Sequence, residues 1–210
     1  VLSLYPEPFT IVARRDSGIR SILDLPGHRV DQGPANSGRR ATVTRVFAAL
    51  DYGLSDFPEL TEHVTSVALD ELCAGSIDAV LLVIGHPNRA VAQTLGDCDV
   101  VIAAARPPQL KDFLSGNPDY AAGIVPGDAY PELPADVRTF SVTATIVTLD
   151  TVSDDIVARL SSTLLTDIDA IGRAAPVIGQ PSVAQLGSLG LTAPLHEAAA
   201  ATLDAFTERD

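Results

Sequence analysis

The run IDAVLLV at residues 77–83 is apolar at every position except Asp78. A strand without polar alternation has no face to offer water, so it must be covered on both sides, as strands of parallel sheets are. Even extended to IDAVLLVIG (77–85) the run is strand-sized and far too short to span a bilayer. The fold must therefore supply helices on both faces of this strand.

The rest of the chain supplies them. FTIVARR (9–15) is β-branched and strand-like, and SILDL (21–25) is a short helical piece before the Pro26-Gly27 break. The strand HRVDQG (28–33) leads to a helix with Val43, Val46, Phe47 and Leu50 on one face. After a polar connection come the helical LDELCAGS (69–76), the strand 77–83, and the helical HPNRAVAQTLG (86–96), with Pro87 read in its first turn. DVVIAAA (99–105) reads as strand and PQLKDFLSG (108–116) as helix; residues 117–138 read as loop with a short strand near YAAGIV. TFSVTATIVTL (139–149) is the longest strand candidate. Residues 153–172 form an amphipathic helix with a Ser153 cap and acids at Asp154 and Asp155. A loop with Gly179 and Pro181 precedes a last helix near 195–206. This alternation predicts an α/β architecture with mostly parallel sheets.

A net charge of −13 argues against nucleic acid and anionic membrane surfaces, which select basic patches, and no run suits membrane insertion. In so acidic a chain, the arginine pair in GPANSGRR (33–40) stands out. Arg39 and Arg40 fall in the first turn of a helix, where the partial positive charge disfavours cations. One reading is an anion site: Gly33 and Gly38 allow close backbone approach, and Asn36 or Ser37 caps the helix. The free N–H groups would then bind the anion, and the arginines would add a fork for a carboxylate. The other reading points one or both arginines outward, paired with surface acids such as Asp31. The glycine spacing matches neither a P-loop nor a dinucleotide fingerprint.

His86 and Asn88 follow the buried strand directly, where open α/β sheets bind ligands, so both are candidates for a polar ligand. Their bland alternative is a helix cap beside a surface histidine. Tyr5, Tyr120 and Tyr130 stand in Pro-flanked settings, and Tyr5 and Tyr130 are taken as pocket walls. Catalysis has little support: the four histidines form no metal pair, no G-x-S-x-G elbow precedes a helix, and no carboxylate pair stands out. No cofactor or metal is expected. Cys73 and Cys98 lack metal-ligand spacing and read either as buried thiols or as a disulfide of an oxidising compartment.

Several segments together resemble the TAXI group, the solute receptors associated with TRAP transporters. LYPEPFTIVARRDSGIRSILDLPGHRV is similar to the crossing into the second lobe of a periplasmic binding protein. GPANSGRR resembles the group's glycine-serine-glycine loop, and GSIDAVLLVIGHPNRAV its glycine-x-isoleucine-aspartate-alanine strand and following turn. AAGIVPGDAYPEL, TFSVTATIVT and PLHEAA follow in the family's order.

The resemblance implies a periplasmic-binding-protein-like fold of two lobes joined by a hinge around 9–15 and 139–149. Residues 1–15 plus 139–210 would form a first lobe and C-terminal helices, and 16–138 the second lobe. Full receptors carry a further N-terminal stretch, so the first lobe is expected to be incomplete, and the abrupt apolar start fits a mature or partial chain. The implied function is a periplasmic or other extracytoplasmic receptor. It would close on a small organic anion, such as an acidic amino acid or dicarboxylate, and deliver it to a TRAP-type permease. Asn36, Ser37, Gly38, Arg39, Arg40, His86, Asn88, Tyr5 and Tyr130 would face the ligand. Where the group usually has small residues, this chain has Arg39 and Arg40. An enzyme acting on a small carboxylate on the same scaffold, or a ligand sensor unlinked to transport, are the alternatives.

Overall fold

A computed structural model describes residues 1–208. The chain forms two compact units: Val1–Glu7 with Pro118–Tyr120 and Val142 onward, and Pro8–Asn117 with Ala121–Ser141. The segment 8–15 thus packs with the second unit, because its strand pairs there on both edges.

The strands are β1 (Leu2–Arg14), β2 (Arg29–Asp31), β3 (Glu59–Thr61), β4 (Ala79–Val83), β5 (Val100–Ala103), β6 (Ala121–Val125) and β7 (Val137–Ile146). The helices are α1 (Gly38–Ala49), α2 (Thr65–Ala74), α3 (Arg89–Asp97), α4 (Lys111–Gly116), α5 (Asp154–Ala174), α6 (Val183–Ser188) and α7 (Glu197–Thr207). The sheet order is β3-β2-β4-β1-β7-β6, and β5 also pairs with β1. β2 is parallel to β3 and to β4, whereas β1 is antiparallel to β4 and β5, and β6 to β7.

The sheet is therefore mixed, not mostly parallel. β2, β3, β4 and β5 do run one way, each joined to the next through a helix, as parallel strands require. β1 enters between β4 and β5 in the opposite direction, and that one reversed strand turns two ladders antiparallel. β4 is buried along Ala79–Leu82, as its apolar run demands. Val80 and Leu82 pack with Leu69 and Leu72 of α2 and Val91 of α3, and α1 also packs on β4.

In the first unit, Leu2, Val157, Leu165, Leu186 and Leu203 form a separate core. α5 and α7 fall on the amphipathic helix read over 153–172 and the last helix read near 195–206, whereas β3 and α6 fall in stretches read as connections. Pro87 lies before the Asn88 cap of α3, not in its first turn. Cys73 and Cys98 are joined in a disulfide, with Cα atoms 5.5 Å apart. Cys73 is exposed, which removes the buried-thiol alternative.

Candidate functional site

Because β2, β3 and β4 are parallel, the loops 32–37, 62–64 and 84–88 all leave the same end of the sheet. The reversed β1 brings Pro8–Thr10 to that end too, since Phe9 pairs with Val83. This is the carboxyl edge, where open α/β sheets bind their ligands.

At its centre lies the N-terminus of α1. Ser37 caps the helix, its Oγ accepting the Arg40 N–H at 3.1 Å and donating to Pro34 O at 2.7 Å. Gly38, the first helical residue, is exposed, as is Asn36. The N–H groups of Gly38 and Arg39 have no partner within the helix, as geometry dictates for a first turn.

The arginines each have a carboxylate, which answers why two cations sit at a helix start. Arg39 is buried against Asp31, its Nη2 donating to Oδ1 and, at 3.2 Å, to the Asp31 carbonyl. Arg40 pairs with Glu62 at 2.8 Å. Asp31 is 0% exposed and accepts three further donors: the Gly33 N–H at 3.2 Å, the Thr61 hydroxyl at 2.8 Å and the His63 N–H at 2.8 Å. Burial pulls the Arg39 pKa down, and Asp31 opposes that pull. Arg39 therefore points beneath the loop, not out of it. Gly33, at φ +85°, is required above it: a Cβ there would meet Arg39 Cδ at 2.7 Å.

The second group is a directed chain of hydrogen bonds. Thr10 donates to Pro8 O at 3.1 Å, so His86 donates from Nε2 to Thr10 Oγ1 at 2.8 Å. His86 Nδ1 then accepts from the Tyr130 hydroxyl at 2.5 Å, and that hydroxyl accepts the Asn88 N–H at 2.8 Å. Asn88 Oδ1 caps α3 through Ala90 and Val91. Every member is satisfied only if His86 is neutral, and burial holds its pKa at about 4. Tyr130, 2% exposed, is pushed up to about 12 by burial, a shift the Asn88 N–H partly offsets. Its hydroxyl is committed to the protein, so it holds the 84–88 loop and does not wall an open pocket. Tyr5 lies in β1 and belongs to the first unit, whereas the other candidates belong to the second.

A histidine kept neutral by the fold makes stability depend on pH. Its folded pKa of about 4 lies below the unfolded value of 6.5, so the contribution is whole above pH 6.5 and disappears as pH falls toward 4. The loss is on the order of 2 kcal/mol once screening of the half-buried ring is discounted. Urea unfolding of the wild type and His86→Gln at pH 7 and pH 4 checks it: the gap between them should narrow at pH 4. An equal gap at both values would remove the assigned tautomer.

Among the described residues, nothing at this edge assembles a catalytic pair. Ser37 and His86 share no hydrogen bond, and Asp78 sits at the opposite end of β4, bound to Arg29 at 2.6 Å, which lowers its pKa. Among the described residues no cluster of His, Cys, Asp and Glu could hold a metal ion, and no helix is long and apolar enough to cross a membrane. One residue at the edge escaped the sequence reading. Gln32, between β2 and Gly33, is 5% exposed, and its backbone N–H donates to Thr61 O at 3.0 Å.

Similar solved structures include the periplasmic aliphatic sulphonate binding protein SsuA of Escherichia coli, at 16% identity and a TM-score of 0.47 over 98% of this chain and 68% of that one. The alkanesulfonate-binding SsuA of Xanthomonas axonopodis pv. citri, bound to MOPS, is 17% identical with a TM-score of 0.45, over 97% of this chain and 59% of that one. An amino acid ABC transporter substrate-binding protein of Streptococcus pneumoniae, bound to L-arginine, is 14% identical with a TM-score of 0.44, over 83% and 57%. The chain thus spans 57% to 68% of the length of these proteins. The profile of the NMT1-like family matches residues 1–204, and the chain belongs to that family.

Proposed function

We propose that this chain is the binding part of an extracytoplasmic receptor that captures a small organic anion and passes it to a membrane permease, of TRAP type by its resemblance to the TAXI group. A periplasmic-binding-protein-like organisation fits its α/β architecture. The observation that carries the reading is the exposed start of α1 at the carboxyl edge, with Gly38 open to solvent. Such a helix start favours an acceptor oxygen through free N–H groups and its partial positive charge. The anchor is backbone; Arg39 and Arg40 are held by their own carboxylates. The disulfide supports an oxidising, extracytoplasmic location. Binding is favoured over catalysis because Ser37, the nearest hydroxyl, has no base beside it.

The test is a thermal-shift screen of small organic acids on the wild type and on Gly38→Asp. A Cβ at Gly38 meets nothing within 4 Å, so the variant folds without a clash. An acid in the first turn stabilises a helix by about 0.3–1 kcal/mol, so the unliganded melting temperature should hold or rise. The same charge should abolish the ligand-induced shift, which in the wild type amounts to about 2.7 kcal/mol at a hundredfold excess over Kd. A shift that survives Gly38→Asp would move the ligand away from α1. A wild type that responds to no acid would overturn the receptor reading.

A further inference from the structure

The Cys73–Cys98 bridge lies at the end of the sheet opposite the carboxyl edge, yet it joins two helices that begin at that edge. Cys73 is in the last turn of α2, and Cys98 is the residue that closes α3. α2 starts directly after the loop 62–64, and α3 directly after the loop 84–88. At 1.5 Å per residue, roughly 12–14 Å of helix separates the bridge from these loops. Each loop holds the edge through a backbone donor. The His63 N–H donates to Asp31 at 2.8 Å, and the Asn88 N–H donates to the Tyr130 hydroxyl at 2.8 Å.

Both helices need such a clamp. With ten and nine residues, they are shorter than a helix that holds in water by itself. Val64 caps α2 with no side-chain acceptor, so α2 lacks the bond that Ser37 gives α1 and Asn88 gives α3. α2 is fixed by Leu69 and Leu72 in the core, by the bridge, and by the bond from His63 just ahead of it. The bridge is also open to reagents. Cys73 is exposed, and a cavity of about 150 Å³ reaches both cysteines between Arg14, Asp16 and Asp99.

We infer that the Cys73–Cys98 bridge is a redox control on the carboxyl edge: oxidation holds the loops 62–64 and 84–88, and reduction by a protein dithiol releases them. A thiolate of the dithiol attacks the exposed Cys73 Sγ, and the S–S bond breaks. Cys98 leaves as a thiolate and takes a proton from water. The second thiol of the dithiol, deprotonated, attacks the mixed disulfide and frees Cys73. Two electrons have then entered the bridge, and the dithiol has become a disulfide. Oxidation by a disulfide of the same class runs these steps in reverse. The chain thus completes its edge in an oxidising compartment and loses it in a reducing one, whatever ligand the edge accepts.

Hydrogen exchange of the whole chain without ligand tests the inference. The wild type is compared oxidised, reduced by dithiothreitol at pH 7, and reoxidised with oxidised glutathione, with alkylation counting the free thiols. Dithiothreitol should open the bridge without denaturant. Protection of the His63 and Asn88 amides should fall about tenfold on reduction, within the usual range of coupling between distant sites, and return on reoxidation. Ile11 and Leu81, paired in the middle of the sheet, should keep their protection. Cys73→Ser/Cys98→Ser should match the reduced wild type, and if it fails to fold, the reversible reduction decides. A bridge that opens only in urea would overturn the inference. So would unchanged edge amides in a fully reduced chain, or a loss that extends to Ile11 and Leu81, since the bridge would then serve stability alone. With no ligand present, none of these results touches the receptor reading, which rests on the thermal-shift screen.

Discussion

Asp31→Ala is expected to cost about 3–5 kcal/mol of stability, the loss typical of breaking a buried ion pair from one side. Asp31 is fully buried and accepts from Arg39, Gly33, Thr61 and His63. Its removal strands a guanidinium that already has two unpartnered nitrogens, in a place water does not reach. It also leaves three other donors, the Gly33 N–H, the Thr61 hydroxyl and the His63 N–H, without their acceptor, so the loop 32–37 and the residues after β3 lose their common anchor. The double variant Asp31→Leu/Arg39→Met separates these terms. Removing both charges should recover the ion-pair part and leave a deficit of about 1–3 kcal/mol from the uncharged donors. Urea unfolding at pH 7 measures all three proteins. A single variant within about 1 kcal/mol of wild type would mean that Arg39 escapes to solvent, and the inward placement would fail.

The same pair shows where the sequence runs out. The GPANSGRR loop and its helix were legible, because glycine, cap residue and apolar spacing are local signals. The direction of Arg39 was not: a ligand contact and an outward pairing with a surface acid both satisfy the same string, and the buried pairing with Asp31 is neither. What decides is Asp31, whose own environment depends on Thr61 and His63, some thirty residues away. His86 shows the same limit. Its partners are Thr10 and Tyr130, 76 and 44 residues distant, and no spacing rule couples them. Gln32 carried a faint signal, an amide between a buried strand and a glycine, but strand ends are so often polar that it passed unnoticed.

Element types were readable where periodicity was sustained, as in α1, α5 and β4. β3 and α6 were missed because three and six residues carry too little pattern. β1 was read only from Phe9, since Pro6 and Pro8 argue against a strand; pairing with β4 and β5 begins beyond them. The direction of β1 is a property of topology, and that is why a string that predicted parallel sheets folds into a mixed one.

Reduction of the Cys73–Cys98 bridge is expected to remove about 3 kcal/mol from the second unit. The bridge closes a loop of 25 residues, and the entropy it withholds from the unfolded chain is worth roughly that much. Both cysteines lie in that unit, at the end of α2 and just after α3, where they tie the two helices covering one face of β4. The loss should therefore be local. Hydrogen exchange of the oxidised protein and of Cys73→Ser/Cys98→Ser should show protection falling in α2, α3 and β5, with α5 and α7 unchanged. Equal protection in the two proteins would mean that packing of Leu69, Leu72, Val91 and Leu95 already holds the helices, and the bridge adds nothing. The expected result also bears on where the chain works. A fold that draws this much stability from a disulfide, one of whose sulfurs belongs to an exposed residue, is weakened in a reducing cytosol, which favours the extracytoplasmic placement.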